Sequence, residues 1–139
     1  MRLPRRRFLG LAAGAAMLPA VSRIARAQAY PTRPVRIIAG YPPGGGSDIL
    51  ARLMGQWLSE RLNQAFIVEN RPGAGGNIAT DTVVHAHADG YTLLLVNTAN
   101  PINATLYKKL NFDFMRDNAP IASIMVAPFV MGVNPSHPA

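Results

Sequence analysis

Val35-Arg36-Ile37-Ile38-Ala39, then Gly40-Tyr41-Pro42-Pro43-Gly44-Gly45-Gly46, then Ser47-Asp48-Ile49-Leu50, is the stretch whose reading sets the fold. The first five residues form a β-branched run, which predicts a strand. The glycine- and proline-rich stretch that follows predicts a loop. Ser47 or Asp48 is placed to cap a helix by accepting its free N–H groups. Beyond them Ile49, Leu50, Leu53, Met54, Trp57, Leu58 and Leu62 recur at helical spacing, with Arg52, Gln56, Glu60 and Arg61 on the other side. The same order then repeats. Phe66-Ile67-Val68 predicts a second strand, Arg71 to Gly76 a second glycine-rich loop, and Asn77 can cap a helix from Ile78 to about Ala88. Tyr91 to Val96 predicts a third strand after the Asp89-Gly90 turn, and Asn97 to Asn103 is a polar stretch broken by Pro101. Ile121 to Ile124 and Phe129 to Val133 read as further strands. Strands and helices in alternation predict an α/β fold with a mostly parallel sheet and flanking helices.

Three loops then leave the carboxyl ends of three strands: Tyr41–Asp48, Asn70–Asn77 and Asn97–Asn103. In an open α/β sheet this edge is where ligands bind. The first two loops are glycine-rich and open onto helices. Glycine lets the backbone approach a ligand closely, and a helix start presents unpaired N–H groups with partial positive charge. Such a pair of loops can hold a carboxylate or a phosphate without a lysine or arginine. A dinucleotide fold is the nearest competitor, since Glu69 ends the second strand about 20 residues past the first loop. Its fingerprint fails. Gly44-Gly45-Gly46 needs a glycine or alanine where Ile49 stands, and Gly73-Ala74-Gly75 needs one where Ile78 stands. No Gly-Lys-Ser/Thr phosphate loop occurs.

Composition narrows the classes. The chain has 139 residues, 49% of them hydrophobic and 15% charged, which suits one globular domain at most. It has no cysteine, so disulfides, iron–sulfur ligation and thiol catalysis are excluded. The net charge of +7 is unevenly spread: Arg2, Arg5, Arg6, Arg7, Arg23 and Arg26 precede residue 30 with no acid among them, and the remainder is almost neutral. A nucleic-acid partner is therefore not expected, because the folded part has no basic face. The first 29 residues instead read as an export signal, with a charged start, an uncharged stretch from Phe8 to Ser22 and the small-residue site Ala25-Arg26-Ala27-Gln28-Ala29. That stretch is shorter than the roughly 20 residues a membrane span needs. Arg5, Arg6, Phe8 and Leu9 fit the twin-arginine pattern, and cleavage after Ala29 or Ala27 would release the chain to the periplasm.

The remaining chemistry-bearing residues are sparse. His85 and His87 stand two apart and do not share a helix face, and His137 lies in a proline-rich tail, so no metal site is expected. Ser47 lacks a Gly-x-Ser-x-Gly context. Asp113 and Asp117 flank Phe114-Met115-Arg116 and predict a solvated turn. No catalytic set is present and no cofactor is expected.

Several ordered motifs resemble one family: Tyr30-Pro31-Thr32-Arg33-Pro34-Val35, Tyr41-Pro42-Pro43-Gly44-Gly45-Gly46-Ser47-Asp48, Glu69-Asn70-Arg71-Pro72-Gly73-Ala74-Gly75-Gly76-Asn77, Asp89-Gly90-Tyr91, Asn111-Phe112-Asp113 and Val133-Asn134-Pro135. Together they resemble Bug-type receptors, the periplasmic substrate-binding proteins of tripartite tricarboxylate transporters. The resemblance implies the first lobe of a two-lobed, type II-like periplasmic binding protein, occupying residues 30–139 behind the signal at 1–29, with the second lobe missing from a truncated chain. It implies a small carboxylate ligand, delivery to a membrane permease, and passage through the export machinery. By position it implies ligand contacts at Gly45, Gly46, Ser47, Gly75, Gly76 and Asn77, with Thr98 and Asn100 from the third loop. Asp48 is expected to orient its loop rather than face an anion, since like charges repel. Phe114 stands where the family pattern has a proline. The alternative reading is an exported enzyme with a Rossmann-like half-domain and a bound nucleotide cofactor.

Overall fold

The computed structural model describes residues 30–128, 132 and 134–136. The export-signal residues Arg5, Arg6, Phe8 and Leu9, the expected strand at 129–133 apart from Gly132, and His137 lie outside the described residues. The described residues run β1 (Val35–Ala39), α1 (Gly46–Leu62), β2 (Phe66–Asn70), a short 3-10 turn (Ala74–Gly76), α2 (Asn77–Val84), β3 (Thr92–Leu95) and α3 (Ala99–Leu106).

The three strands form a parallel sheet in the order β2-β1-β3. Val35 lies beside Phe66, Ile37 beside both Val68 and Leu93, and Ala39 beside both Asn70 and Leu95. Side chains alternate across a strand, so Val35, Ile37, Phe66, Val68, Leu93 and Leu95 share one face. Val35, Ile37 and Phe66 are buried there with Ala51 of α1. Ile38 points to the other face and is fully buried as well. The chain moves from β1 outward to β2, then back past β1 to β3. Because parallel crossovers are right-handed, that reversal places α1 and α2 on opposite faces. The strand order also makes β1/β3 a switch point, where consecutive loops part at the carboxyl edge.

α1 meets the sheet through small residues. Asp48, Ala51 and Gly55 are buried along one line, and Ser59 locks the end: its Oγ donates to Gly55 O at 2.6 Å and accepts from Phe66 N–H at 2.9 Å. Leu50, Met54 and Leu58 are half-buried. Ile49, Leu53 and Trp57, expected on the same apolar face, are 53%, 59% and 48% exposed. The apolar arc is wider than the sheet surface that covers it.

Three expectations need correction. The second helix ends at Val84 rather than near Ala88. The stretch 97–103 is not broken by Pro101. It opens α3, and Pro101 sits in the first turn, where a missing N–H loses no helical bond. Ile121 to Ile124 is coil with no strand partner among the described residues. Asp113 and Asp117 do form a turn: Asp117 N–H donates to Asp113 O at 2.8 Å, and Asp113 N–H to Asp117 Oδ2 at 2.7 Å.

Candidate functional site

The three loops at the carboxyl edge meet. Gly40, directly after β1, touches the second loop so closely that a Cβ there would lie 2.9 Å from Gly76 Cα. Only a residue without a side chain lets β1 and the start of α2 approach this far. The Tyr41 hydroxyl lies 3.3 Å from Gly75 O and 3.3 Å from Asn97 Oδ1, reaching both the second and the third loop. Asn103 Nδ2 donates to Gly75 O at 2.9 Å and to Asn77 Oδ1 at 3.0 Å, tying α3 to the second loop.

The first loop ends in a helix without a side-chain cap. Gly45 is the N-cap residue, so neither Ser47 nor Asp48 caps α1 in the expected way. Ile49 N–H makes the first helical bond, to Gly45 O at 3.0 Å. The amides of Gly46, Ser47 and Asp48 precede it and have no helical acceptor. Asp48 instead reaches back into the loop, as the third residue of a helix does in a capping box. Its Oδ2 accepts from Gly44 N–H at 2.9 Å and from Arg52 Nε at 3.0 Å, and its Oδ1 accepts from Asn70 Nδ2 at 2.8 Å. Asn70 Nδ2 also donates to Tyr41 O at 3.0 Å. Hydrogen bonds from Arg52, Gly44 and Asn70, in that order, hold the Asp48 carboxyl down at about 2. The acid is thus ionised and engaged on both oxygens.

The second loop turns through left-handed backbone at Ala74 (φ 47), Gly75 (φ 66) and Gly76 (φ 95) before α2 begins. Such a run is costly for residues with a Cβ. Ala74 is the one residue there that carries one. Asn77 is the first residue of α2, not its cap, and it is buried. In the third loop Thr98 is exposed at the start of α3. Asn100 is buried and fully used inside the protein: its Oδ1 accepts from Asn97 N–H at 2.9 Å, and its Nδ2 donates to Thr80 Oγ1 at 3.0 Å.

Gly45, Gly46, Ser47, Gly75, Gly76, Asn77, Thr98 and Asn100 therefore belong to loops that share one edge of the sheet. Exposed positions are Gly45, Gly46, Gly75 and Thr98, with Ser47 partly so, whereas Gly76, Asn77 and Asn100 are buried beneath. Tyr41, Asn70 and Asn103 were not singled out from sequence. Their roles arise from partners 18 to 56 positions away, and no local signal carries such pairings. Arg52 was placed only on the side of α1 opposite the apolar face, although its spacing of four from Asp48 was a legible pairing signal. His85 Nδ1 lies 3.5 Å from Asp81 Oδ1. Among the described residues no group of three metal-ligating side chains comes together.

The model for tripartite tricarboxylate transporter family receptors matches residues 50–139. Protein BugT of Bordetella pertussis is 38% identical over 111 residues, covering 78% of this chain and 34% of the relative. A UPF0065 protein of the same organism is 42% identical over 127 residues, covering 89% of this chain and 38% of the relative. The chain thus spans about a third of the length of the curated relatives it matches. Among solved structures, a periplasmic transporter superposes with a TM-score of 0.58 at 40% identity over 63% of this chain and 30% of that one. MatC from Rhodopseudomonas palustris with bound malate gives a TM-score of 0.58 at 33% identity, again over 63% of this chain and 30% of the other. A second R. palustris protein, solved with adipate, gives 0.56 at 39% identity over 62% of this chain and 29% of that one.

Proposed function

Because this chain belongs to the family of tripartite tricarboxylate transporter receptors, we propose that its three converging loops bind a small carboxylate. The family consists of solute-binding receptors, not enzymes, and the nucleotide-cofactor alternative loses its support. The observation that carries the proposal is the first turn of α1. The amides of Gly46, Ser47 and Asp48 have no helical acceptor, and the nearby Asp48 carboxylate is already engaged by Gly44, Arg52 and Asn70. Main-chain donors at a helix start, with the local acid occupied, suit an incoming anion. Ser47 and Thr98 hydroxyls and the backbone of Gly45, Gly75 and Gly76 supply further groups at the rim. Asn77 and Asn100 support from beneath. Relatives solved with malate and adipate make dicarboxylates the first class to test.

The wider role in this reading is that of an exported receptor. Residues 1–29 carry the twin-arginine-like signal, the protein works in the periplasm, and its bound carboxylate passes to a membrane permease.

Gly46→Pro tests the site. Proline is tolerated at the first helical position, and the extended backbone of Gly45 (φ −78, ψ 166) suits a residue before proline. The variant removes one amide donor and leaves the fold. Calorimetric titration of the full chain with malate and adipate should show binding to the native protein and at least a tenfold loss in the variant, as expected for a hydrogen bond to a charged group, about 1.5–3 kcal/mol. Equal affinity in both proteins, or no binding by either, would overturn the proposal.

A further inference from the structure

The outer part of the first loop is not held by packing. Residues 42–46 are all exposed. A side chain begun at Gly44 or at Gly46 would have nothing within 4 Å. Apolar contact therefore does not fix the backbone that leads into the free amides of α1, and hydrogen bonds do. Those bonds converge on one residue. Asn70 stands where β2 becomes the second loop, opposite Ala39 in the strand register, and the next residue, Arg71, donates its N–H to Ala39 O at 2.8 Å. The sheet thus sets the place of Asn70.

From there its amide faces three groups. Nδ2 donates to Tyr41 O at 3.0 Å and to Asp48 Oδ1 at 2.8 Å, and Oδ1 accepts from Arg52 Nη2 at 3.1 Å. Both donor hydrogens are used, so neither is left for a ligand. Tyr41 opens the first loop and Asp48 closes it. Asp48, 3% exposed, in turn accepts from Gly44 N–H in the middle. The loop is pinned at its start, middle and end through one side chain of the second loop. Tyr41 extends the tie, since its hydroxyl lies 3.3 Å from Gly75 O and from Asn97 Oδ1. Asp48 and Arg52 are the ionisable groups bonded to Asn70. Its chain neighbour Glu69 is engaged by Arg36 at 2.6 Å and by Arg71 at 3.6 Å.

We propose that Asn70 is a positioning residue: acting through Tyr41 and Asp48, it sets the amides of Gly46 and Ser47 against the second loop and so governs anion affinity, a role that rests on the carboxylate reading of the cradle. Aspartate has the shape of asparagine but, when ionised, no proton to donate. Asn70→Asp would turn a carboxylate on the Tyr41 carbonyl and on the Asp48 carboxylate. Two carboxylates at such range take up a shared proton as pH falls, which returns one donor.

Calorimetric titration of the full chain with malate and adipate reads the effect. At about pH 8, Asn70→Asp should bind at least tenfold more weakly than the native chain. Toward about pH 5 that ratio should shrink at least threefold, and taking the ratio cancels the ligand's own titration. Asn70→Leu, of similar volume and without charge, should lose at least tenfold at both pH values. Its NMR amide signals should move at residues 44–47 and stay in place at 35–37, where a general loss of structure would move both. Native affinity in Asn70→Leu overturns the inference. So does a loss in Asn70→Asp that does not change with pH, and so do amide shifts spread equally over 35–37 and 44–47. Gly46→Pro separates the two readings. If the native chain binds neither acid, the cradle and the role of Asn70 fall together. If Gly46→Pro loses binding and Asn70→Leu keeps it, only the role of Asn70 falls.

Discussion

Asp48 is an acid inside the loop proposed to receive acids, and its hydrogen bonds explain why the two are compatible. Both oxygens are committed to Gly44, Arg52 and Asn70. This commitment is measurable through pH. The carboxyl is held at about 2, below its ordinary 3.8, so the unfolded chain binds the proton more readily. Asp48 therefore stabilises the fold above its ordinary value, and that contribution is lost as pH falls from 3.8 toward about 2. Thermal melts should fall across this window in the native chain. Asp48→Asn should flatten part of that fall, and an unchanged slope would show that the pairing does not matter. The sequence made Asp48 an orienting residue because an anionic ligand and an anionic side chain exclude one another. It did not disclose Asn70 as the partner, 22 positions along the chain. Asn100 shows how little of a side chain's engagement is legible in its own loop. A polar residue in a ligand-side loop looks like a contact residue, yet its amide is spent on Asn97 and Thr80.

Elements were legible where periodicity was strong. β1, α1, β2 and β3 follow from β-branched runs and helical spacing, and parallel pairing follows from their alternation. α3 was missed because Pro101 reads as a breaker unless its place in the first turn is known. The strand expected at Ile121 to Ile124 pairs with neither edge of the sheet among the described residues. A short apolar run becomes a strand only when another strand supplies its hydrogen bonds. The outward position of Ile49, Leu53 and Trp57 depends on which arc of α1 the sheet covers, and periodicity alone does not show that arc. The approach of β1 to the start of α2 is the joint on which the loop cluster depends. Gly40→Ala would put a methyl group 2.9 Å from Gly76 Cα and 3.3 Å from Ala79 Cβ. The expected result is a loss of about 1–3 kcal/mol in denaturant unfolding, the usual cost of overpacking. Stability equal to the native chain would mean that the two elements separate freely.

Across the described residues, protection should follow the sheet. β1 is paired on both sides, and its Val35, Ile38 and Ala39 are fully buried. Residues 121–128 are exposed coil, with Ile121 80% and Val126 90% accessible. Hydrogen exchange should therefore be slowest in 35–39 and fastest in 119–128, with β2 and β3 between, because each has one strand neighbour. Slow exchange in 119–128 would mean that this segment has a cover which the described residues do not supply. The strand order also explains why the site was partly visible in advance. Any β2-β1-β3 reversal opens a gap at the carboxyl edge of β1 and β3, and glycine-rich loops mark its rim in the sequence.

A phenol has one proton to give. Tyr41 faces two acceptors, Gly75 O and Asn97 Oδ1, at the same 3.3 Å. It can satisfy one at a time, so the second and third loops draw on a single donor. Whatever occupies one of those oxygens releases the proton to the other. A molecule donating to Gly75 O would thus be felt at Asn97 without any movement of the chain between them.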